Sequence, residues 1–361
     1  MKSYNDLPRR KQRGIKWNKY FRPKGRGINP LSAFWRIKVL LVLIAVLLIQ
    51  CTKNLAPSVS TFGISGITSG GAYCEGWIKN EEAMGIRRGF VCRTEDNSDV
   101  KTYETIYADG SHIYGTVIYD LKPNTTYFVK AYVSNDEGTG YGEEIEFKTT
   151  RTGDFTDSRD GKIYKWVEIG NQTWMAENLS YIPFVSNLND SGIFVYNYEG
   201  LSVEEAKKTN EYIQYGCLYD WEIACEVCPD GWHLPSDDEW KELEIYLGMN
   251  PQDVDDTGWR GSYQGGILKE EGADHWQSPN YDAINSSIFS ALPAGCGSYD
   301  DPYFNGLRVG AYFFSSTMDY AMGFKDGYRV WIRELSSSTN TIKRAHNSGY
   351  SRRCSVRCVK N

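Results

Sequence analysis

The sequence Cys228-Pro-Asp-Gly-Trp-His-Leu-Pro-Ser-Asp-Asp-Glu-Trp240 leads from a loop into a helix, and most large apolar residues after position 150 are expected to pack around it. Gly231 and Pro235 are turn residues, which predicts an irregular loop. Trp232 and Leu234 lie between them, and apolar side chains of this size are usually buried. The loop is therefore expected to turn its side chains toward a core.

A helix is expected to begin at Ser236. Glu239 follows three residues later, which is the spacing of a capping box, where each side chain accepts a hydrogen bond from a free backbone N–H. Trp240, Leu243 and Leu247 then occur at helical spacing and should pack onto a core. The remaining face is charged and is expected to face solvent. It consists of Lys241, Glu242 and Glu244.

Composition and charge limit the class of protein. The 361 residues include 26 Tyr, 11 Trp and 35 Gly, which favours a loop-rich, β-containing and extracytoplasmic fold. Residues 1–50 contain 12 Lys or Arg and one acid, so residues 51–361 contain 28 bases and 45 acids, a net charge of −17. A charge of this sign opposes binding to nucleic acid or to anionic lipid headgroups, so no nucleic-acid partner is expected.

The N-terminus predicts export. The apolar run Val39–Ile49 is 11 residues long, too short to span a bilayer and suited to the core of a signal peptide. It ends at Gln50-Cys51 and resembles a bacterial lipoprotein signal, which implies that Cys51 is acylated and becomes the mature N-terminus. A retained N-terminal anchor and ordinary cleavage are the alternatives. Residues 1–50 are thus a basic leader with a signal or anchor segment, and residues 51–58 are a tether.

Residues 59–149 show about seven short alternating strands separated by turn signals, which predicts a β-sandwich. The segment Leu121–Tyr132 resembles the corner of fibronectin type III domains, where Tyr127 would lie under the turn. No residue here suggests chemistry, so a spacer or adhesion unit is expected. Cys74 and Cys92 are either two buried thiols or a disulfide, and export favours the disulfide.

The motifs of residues 154–360 carry a second resemblance. They include Phe155–Tyr164, Gln172–Leu179, Gly216–Trp221, Cys228–Ser236, Phe289–Gly295, Phe314–Thr317 and Ser355–Lys360. In this order they resemble the Fibrobacter succinogenes major paralogous domain family. The resemblance implies an exported bacterial surface protein, often a lipoprotein, and the family has no established activity.

A more distant similarity concerns Gly231–Trp240, which resembles a segment of the formylglycine-generating enzyme group. That resemblance implies a C-type-lectin-like fold with two helices, small antiparallel sheets and long loops. It also implies that His233 is part of the scaffold. Lectin-like folds commonly connect the loop after the second helix to the final strand by a disulfide, so Cys228–Cys358 is the preferred pair.

The other cysteines of this domain stay unassigned. Cys354 and Cys358 lie on one face of a predicted strand, roughly 13 Å apart at about 3.3 Å per residue, so they cannot bond to each other. Each therefore needs its own partner. Cys217, Cys225 and Cys296 are the candidates, and the pairing among them is open.

Catalysis is not expected, and no metal or cofactor is predicted. Cys225 and Cys228 could begin a zinc site, but no second pair of ligands follows. Formylglycine-generating enzymes hold copper with two cysteines near the end of the domain, and Cys354 with Cys358 has a different spacing. The acids Asp237, Asp238 and Glu239 open a helix, where the helix dipole explains them. No Ser or Cys has a locally paired base.

Binding is the favoured function. The irregular region from Gly258 to Tyr312 is rich in aromatic residues, whose faces suit sugars and protein surfaces, although more than half of them are expected to fill the loop core. The candidate ligand-binding residues are Trp259, Tyr263, His275, Trp276, Tyr299 and Tyr303, with Tyr281 nearby. The calcium-binding sugar signatures of C-type lectins are absent from the sequence, which disfavours calcium-dependent monosaccharide binding.

The sequence thus predicts an all-β sandwich of fibronectin type III type followed by an α+β C-type-lectin-like domain. We expect a lipid-anchored protein of the cell envelope, at the outer membrane, that recognises a glycan or another surface protein without catalysis. A structural envelope role without a specific ligand is the second interpretation, and a formylglycine-generating copper oxidase is the third.

Overall fold

The computed structural model describes Lys38 and residues 57–80, 87–105, 112–299, 303–319, 329–348 and 352–361. By its contacts the chain divides into Met1–Asn54 and Leu55–Asn361, and all features below lie in the second unit. The apolar run of the predicted signal segment and Cys51 lie outside the described residues. Within the described part of the chain, no helix combines the length and the apolar character that crossing a membrane requires.

Residues 57–149, called the first region, form two antiparallel sheets around one core. The strands are β1 (Val59–Ser65), β2 (Ala72–Ile78), β3 (Arg87–Thr94), β4 (Val100–Glu104), β5 (Ile113–Ile118), β6 (Thr126–Asn135), β7 (Gly138–Tyr141) and β8 (Ile145–Lys148). One sheet has the order β1-β2-β5, and the other has the order β4-β3-β6-β7 with β8 paired to β6. The core takes Ile78 and Ile118 from the first sheet and Phe90 and Val129 from the second.

The three residues that were singled out in the sequence of the first region are all buried. Tyr127 is buried, and its hydroxyl accepts a hydrogen bond from the backbone N–H of Lys122 (3.0 Å), so the ring lies under the turn. Cys74 and Cys92 are both buried free thiols in the shared core, so the disulfide considered from the sequence is not present. Burial raises the pKa of Cys92 to about 12, which keeps this thiol protonated.

Residues 150–361, called the second region, are also mostly β. The strands are β9 (Thr152–Thr156), β10 (Ile163–Ile169), β11 (Gln172–Met175), β12 (Ile193–Phe194), β13 (Leu218–Tyr219), β14 (Trp232–His233), β15 (Gly258–Arg260), β16 (Ala294–Ser298), β17 (Phe304–Leu307), β18 (Gly310–Asp319), β19 (Arg329–Ser336), β20 (Ile342–Ser348), β21 (Arg352–Arg353) and β22 (Val359–Lys360). The helices described there are α1 (Val203–Ala206), α2 (Asn210–Tyr215), α3 (Trp221–Glu226), α4 (Asp237–Tyr246) and α5 (Gln264–Leu268).

Two larger sheets organise the second region. The smaller one has the order β14-β22-β11-β10-β9, so the last strand, β22, lies between β14 and β11. The larger one has the order β15-β20-β19-β18-β16-β17, with β21 paired to β16, and β12 and β13 form a separate pair. The segment between the two predicted domains is partly strand, because Thr152–Thr156 pairs with β10.

Helix α4 begins as predicted. The side chain of Ser236 accepts a hydrogen bond from the N–H of Glu239 (3.2 Å), and the carboxylate of Glu239 accepts one from the N–H of Ser236 (2.7 Å). Trp240, Leu243 and Leu247 are buried in one core cluster. His233, expected to be scaffold, bonds to Glu239 (2.7 Å) and to the side chain of Asn361 (2.6 Å).

The assignment of Glu244 to a solvent-facing side of α4 is wrong. Its carboxylate is fully buried and is bonded to Arg260 (2.8 Å) and Arg333 (2.6 Å). Asp237, which the helix dipole alone was expected to explain, is also buried and is bonded to Arg333 and Arg344, each at 2.8 Å. These arginines come from β15, β19 and β20, so ion pairs attach the helix to the larger sheet.

The disulfide Cys228–Cys358 is present, as predicted, with an S–S distance of 2.04 Å and a Cα–Cα distance of 6.0 Å. It joins the loop before α4 to the end of the chain. The expectation that Cys354 also has a disulfide partner is wrong, because this thiol is free and completely buried. Cys217, Cys225 and Cys296 are free as well.

Candidate functional site

A cavity of about 530 Å³ lies beside strands β9 and β10. One wall comes from these strands and from the residues after β11, a second from residues 270–292, and a third from a turn of the first region. The lining residues are Pro123, Thr152, Gly153, Asp154, Lys165, Trp166, Ala176, Glu177, Glu270, His275, Ile288, Ser290 and Leu292. This volume lies within the range of small-molecule sites, roughly 300–1,000 Å³.

Trp166 supplies the aromatic part of the wall. It lies on β10 directly opposite Gly153 of β9, and its indole N–H donates a hydrogen bond to the carbonyl of Asp154 (3.3 Å). A Cβ atom on Gly153 would lie 2.6 Å from the indole ring, so glycine is needed for the ring to take this position. The indole is half-buried, which leaves part of an apolar surface open at the cavity.

Three carboxylates line the same cavity, those of Asp154, Glu177 and Glu270. Glu177 accepts a hydrogen bond from the backbone N–H of Lys165 (3.0 Å), which fixes it at the end of β11. Glu270 is paired with His275, whose Nδ1 lies 2.8 Å from the carboxylate. Both glutamates are partly exposed, and ionised carboxylates only accept hydrogen bonds. The cavity therefore offers acceptors beside an aromatic surface.

The guanidinium of Arg357 fixes backbone segments near the cavity by hydrogen bonds. Its buried guanidinium donates to Asn178 Oδ1 (2.8 Å), to the carbonyl of Ser290 (2.8 Å) and to the carbonyls of Met175 and Phe289. Burial lowers the pKa of Arg357 to about 9, although nearby carboxylates favour the charged form. Because its hydrogen bonds are used within the protein, Arg357 positions Ser290 at the cavity and does not itself offer a ligand contact.

Of the six predicted ligand-binding residues, only His275 lines the cavity. Trp276 is completely buried, and its indole N–H donates to the carbonyl of Ala291 (3.0 Å), so it supports the cavity wall from the core. Tyr263 is half-buried and stacks on Tyr73 of the first region, with ring centroids 5.4 Å apart.

The remaining predicted residues lie elsewhere. Trp259 is 44% exposed on β15, with the Lys343 ammonium 5.6 Å from its ring centroid. Tyr299 donates its hydroxyl to the carboxylate of Asp220 (2.9 Å), and Tyr303 is half-buried next to β17. The six residues therefore do not form one surface, and their binding role stays a prediction.

Trp166, Glu177 and Glu270 are the site residues that the sequence analysis missed. Trp166 lies on β10, whereas Glu177 follows β11 and Glu270 follows α5. Of these three residues, only Trp166 had a sequence signal, because it is an aromatic residue within a strand pattern. Within the part of the chain that the structure describes, no three His, Cys, Asp or Glu side chains are grouped so that they could hold a metal ion.

Comparisons with known proteins agree with the family expected from the motifs. The Fibrobacter succinogenes major domain matches residues 167–360, which is more than half of the chain. No curated protein matches the chain. Two solved structures, short and long forms of the sensor domain of the anti-sigma factor RsgI4 of Pseudobacteroides cellulosolvens, are each 23% identical with a TM-score of 0.22. They cover 27% and 26% of this chain and 97% and 90% of their own chains.

Proposed function

This chain belongs to the Fibrobacter succinogenes major domain family, and on that premise we propose that it is a non-catalytic recognition protein of the bacterial cell envelope. Its ligand is a neutral saccharide that binds in the cavity beside Trp166. A structural envelope role without a ligand and binding of a protein partner are the alternatives, and neither predicts binding of the saccharides used in the experiment below.

The chemistry of the cavity wall supports a saccharide ligand. Sugars have apolar C–H faces that pack on an indole, and they have many hydroxyl groups that donate hydrogen bonds to carboxylates. Trp166 supplies the ring, and Glu177 and Glu270 supply the acceptors. The lining carries three carboxylates, those of Asp154, Glu177 and Glu270, against one lysine, Lys165. This excess of negative charge would repel an acidic saccharide, so a neutral sugar is the better match. The observation that carries the proposal is that the Trp166 ring and the carboxylates of Glu177 and Glu270 line one cavity.

The finer fold expectations are part of this proposal. The position of Tyr127 under its turn and the two sheets around one core support a fibronectin type III-like sandwich for the first region. The disulfide from the loop before α4 to the last strand supports a C-type-lectin-like second region. Lipid attachment at Cys51 at the outer membrane completes the proposal, and Cys51→Ser should then release the protein from membrane fractions.

The copper oxidase interpretation finds no support in the cysteines. Cys358 is bonded to Cys228, and burial raises the pKa of the Cys354 thiol well above its usual value. A copper site of this kind needs two thiolates, which are the metal-binding form of cysteine. Cys354 and Cys358 do not provide that pair.

Calorimetric titration with cellohexaose, xylohexaose, mannohexaose and chitohexaose tests the saccharide proposal. At least one of these neutral probes should bind the full chain, and Trp166→Ala should weaken that binding about tenfold, which corresponds to 1.4 kcal/mol. Trp259→Ala is the matched control, because Trp259 is also an exposed tryptophan of the second region but lies outside the cavity. Loss of binding in Trp259→Ala with unchanged binding in Trp166→Ala would move the ligand to the surface of the larger sheet.

A further inference from the structure

The loop Thr68–Gly71 joins β1 to β2 in the first region and contacts the second region. The hydroxyl of Thr68 donates to the carbonyl of Ser286 (2.6 Å), and the N–H of Gly70 donates to the same oxygen (3.0 Å). Thr68 and Ser69 are fully buried although both are polar. Buried polar groups are retained where they are hydrogen-bonded, so this loop is a fixed contact between the two regions.

The same loop also holds the turn that contains Pro123. The carbonyl of Gly70 accepts a hydrogen bond from the N–H of Leu121 (2.9 Å), and the N–H of Asn124 donates to the carbonyl of Thr150 (3.0 Å). Gly70 therefore bonds through its N–H to the second region and through its C=O to the turn. One residue connects two separate segments of the chain.

Glycine is required at this point because the backbones approach closely. A Cβ atom on Gly70 would lie 2.9 Å from the carbonyl oxygen of Ser286 and 3.2 Å from Ile288. A Cβ atom on Gly71 would lie 2.2 Å from the carbonyl oxygen of Ile118 and 2.8 Å from the Cβ of Ser286. Any side chain at either position would push the two segments apart.

The two segments that Gly70 connects both lead into the cavity lining. Pro123 lies two residues after Leu121, and Ile288 and Ser290 lie two and four residues after Ser286. We infer that the first region forms one wall of the saccharide cavity and that the loop Thr68–Gly71 sets the distance between this wall and the Ile288–Ser290 wall. This inference rests on the proposed function and makes the first region part of the binding site.

Ligand binding and the docking of the two regions are thermodynamically coupled in this arrangement. A ligand that contacts both walls binds best when the two regions are held together, so binding and docking stabilise each other to the same extent. The stacked rings of Tyr73 and Tyr263 and the hydrogen bond from the Tyr246 hydroxyl to the carbonyl of Ile67 (2.6 Å) are further parts of this docking contact. Recognition should therefore depend on residues that touch no ligand.

The experiment compares Gly70→Ala with Gly63→Ala in the full chain. Gly63 lies on β1, and nothing lies within 4 Å of the Cβ atom that alanine would add there, so it is the matched control. Gly70→Ala should weaken binding of the hexasaccharide probes about tenfold, whereas Gly63→Ala should leave it unchanged. Pro123→Trp should also abolish binding by filling the cavity, and Pro123→Ala should retain it.

Hydrogen exchange provides a readout that needs no ligand. Gly70→Ala should increase exchange both at residues 121–125 and at residues 286–290, and Gly63→Ala should do so at neither. An increase at only one of the two segments, or normal probe binding by both Gly70→Ala and Pro123→Trp, overturns the inference and leaves the proposed function intact if Trp166→Ala still loses binding. If no hexasaccharide binds the unmodified chain, the saccharide proposal fails, and exchange alone decides whether the loop connects the two walls.

Discussion

Two charged clusters of the second region differ in how their carboxylates are used. Around α4, Asp237 and Glu244 are buried, and their oxygens are bonded to arginines from three strands. At the cavity, Glu177 and Glu270 are partly exposed, and each has capacity to accept further hydrogen bonds. The number of buried charges therefore does not identify a binding site. A cluster whose acceptors are all used within the protein is a scaffold, whereas a partly used cluster at a cavity can bind a ligand.

The largest expected effect on the free energy of unfolding is in the cluster of ion pairs that Asp237 and Glu244 of α4 form with arginines. Arg333→Met removes the partner of both Glu244 and Asp237, so two buried carboxylates lose a counter-charge. Removing one partner of a buried ion pair typically costs about 3–5 kcal/mol, and the free energy of unfolding should fall by that amount. Urea unfolding followed by fluorescence measures it. Lys208→Met is the control, since Lys208 forms only exposed pairs with Glu204 and Glu205, and it should change stability by less than about 0.5 kcal/mol.

The next largest loss of stability is expected from substitution of Lys269. This residue is buried and directly precedes the cavity residue Glu270. Its ammonium donates to the carbonyls of Tyr281 (3.0 Å), Ser336 (3.0 Å) and Thr339 (2.8 Å). Lys269→Met leaves these carbonyls without that donor and should cost about 2 kcal/mol, less than Arg333→Met because the acceptors are neutral. An effect as large as that of Arg333→Met in the same urea experiment would show that the charge of the partner does not set the cost.

The pH dependence of the free energy of unfolding should come from the ion-pair cluster around α4. Burial alone would raise the pKa of Asp237, but hydrogen bonds and charge from Arg344 and Arg333 outweigh burial and hold the pKa well below its usual value. A carboxyl whose pKa is lower in the folded state contributes stability above its unfolded pKa near 4 and loses it as the pH falls further. The loss should be on the order of 2 kcal/mol between pH 4 and pH 2.

Asp237→Asn separates this contribution from that of other carboxylates. The variant should be less stable at pH 7 and should show a flatter dependence of the free energy of unfolding on pH below 4. A pH profile parallel to that of the unmodified protein would mean that Asp237 is not the group responsible. Asp255→Asn is a suitable comparison, since Asp255 is exposed and pairs with Lys241 at the edge of the same cluster.

These two clusters also show what sequence can and cannot predict. The start of α4 was predictable because Ser236 and Glu239 are three residues apart and bond to each other. The buried state of Glu244 was not, because its partner Arg333 lies 89 residues away and the local pattern around Glu244 is that of a charged helix face. The disulfide Cys228–Cys358 followed from a family resemblance, since 130 residues separate its cysteines.

The cavity was harder to predict because its lining residues are far apart in the sequence. Trp166, Glu177 and Glu270 become neighbours only through the pairing of β9, β10 and β11 and through the path of residues 270–292. The predicted aromatic residues were selected by composition, which cannot distinguish Trp276 in the core from Trp259 on the surface. The alternation of apolar and polar residues predicted strands, but the site depends on contacts between segments that are far apart in the sequence.

The smallest expected effect on stability is at the cavity, and it is the most informative. Glu177→Gln keeps the shape of the side chain and an acceptor for the Lys165 N–H, so the free energy of unfolding should change by less than about 0.5 kcal/mol, as at ordinary partly exposed positions. Binding of the hexasaccharide probes should nevertheless weaken severalfold, because a charged acceptor forms roughly twice as strong a hydrogen bond as a neutral one. A change in stability comparable to that of Lys269→Met would instead place Glu177 among the structural carboxylates, and the distinction between the two clusters would no longer hold.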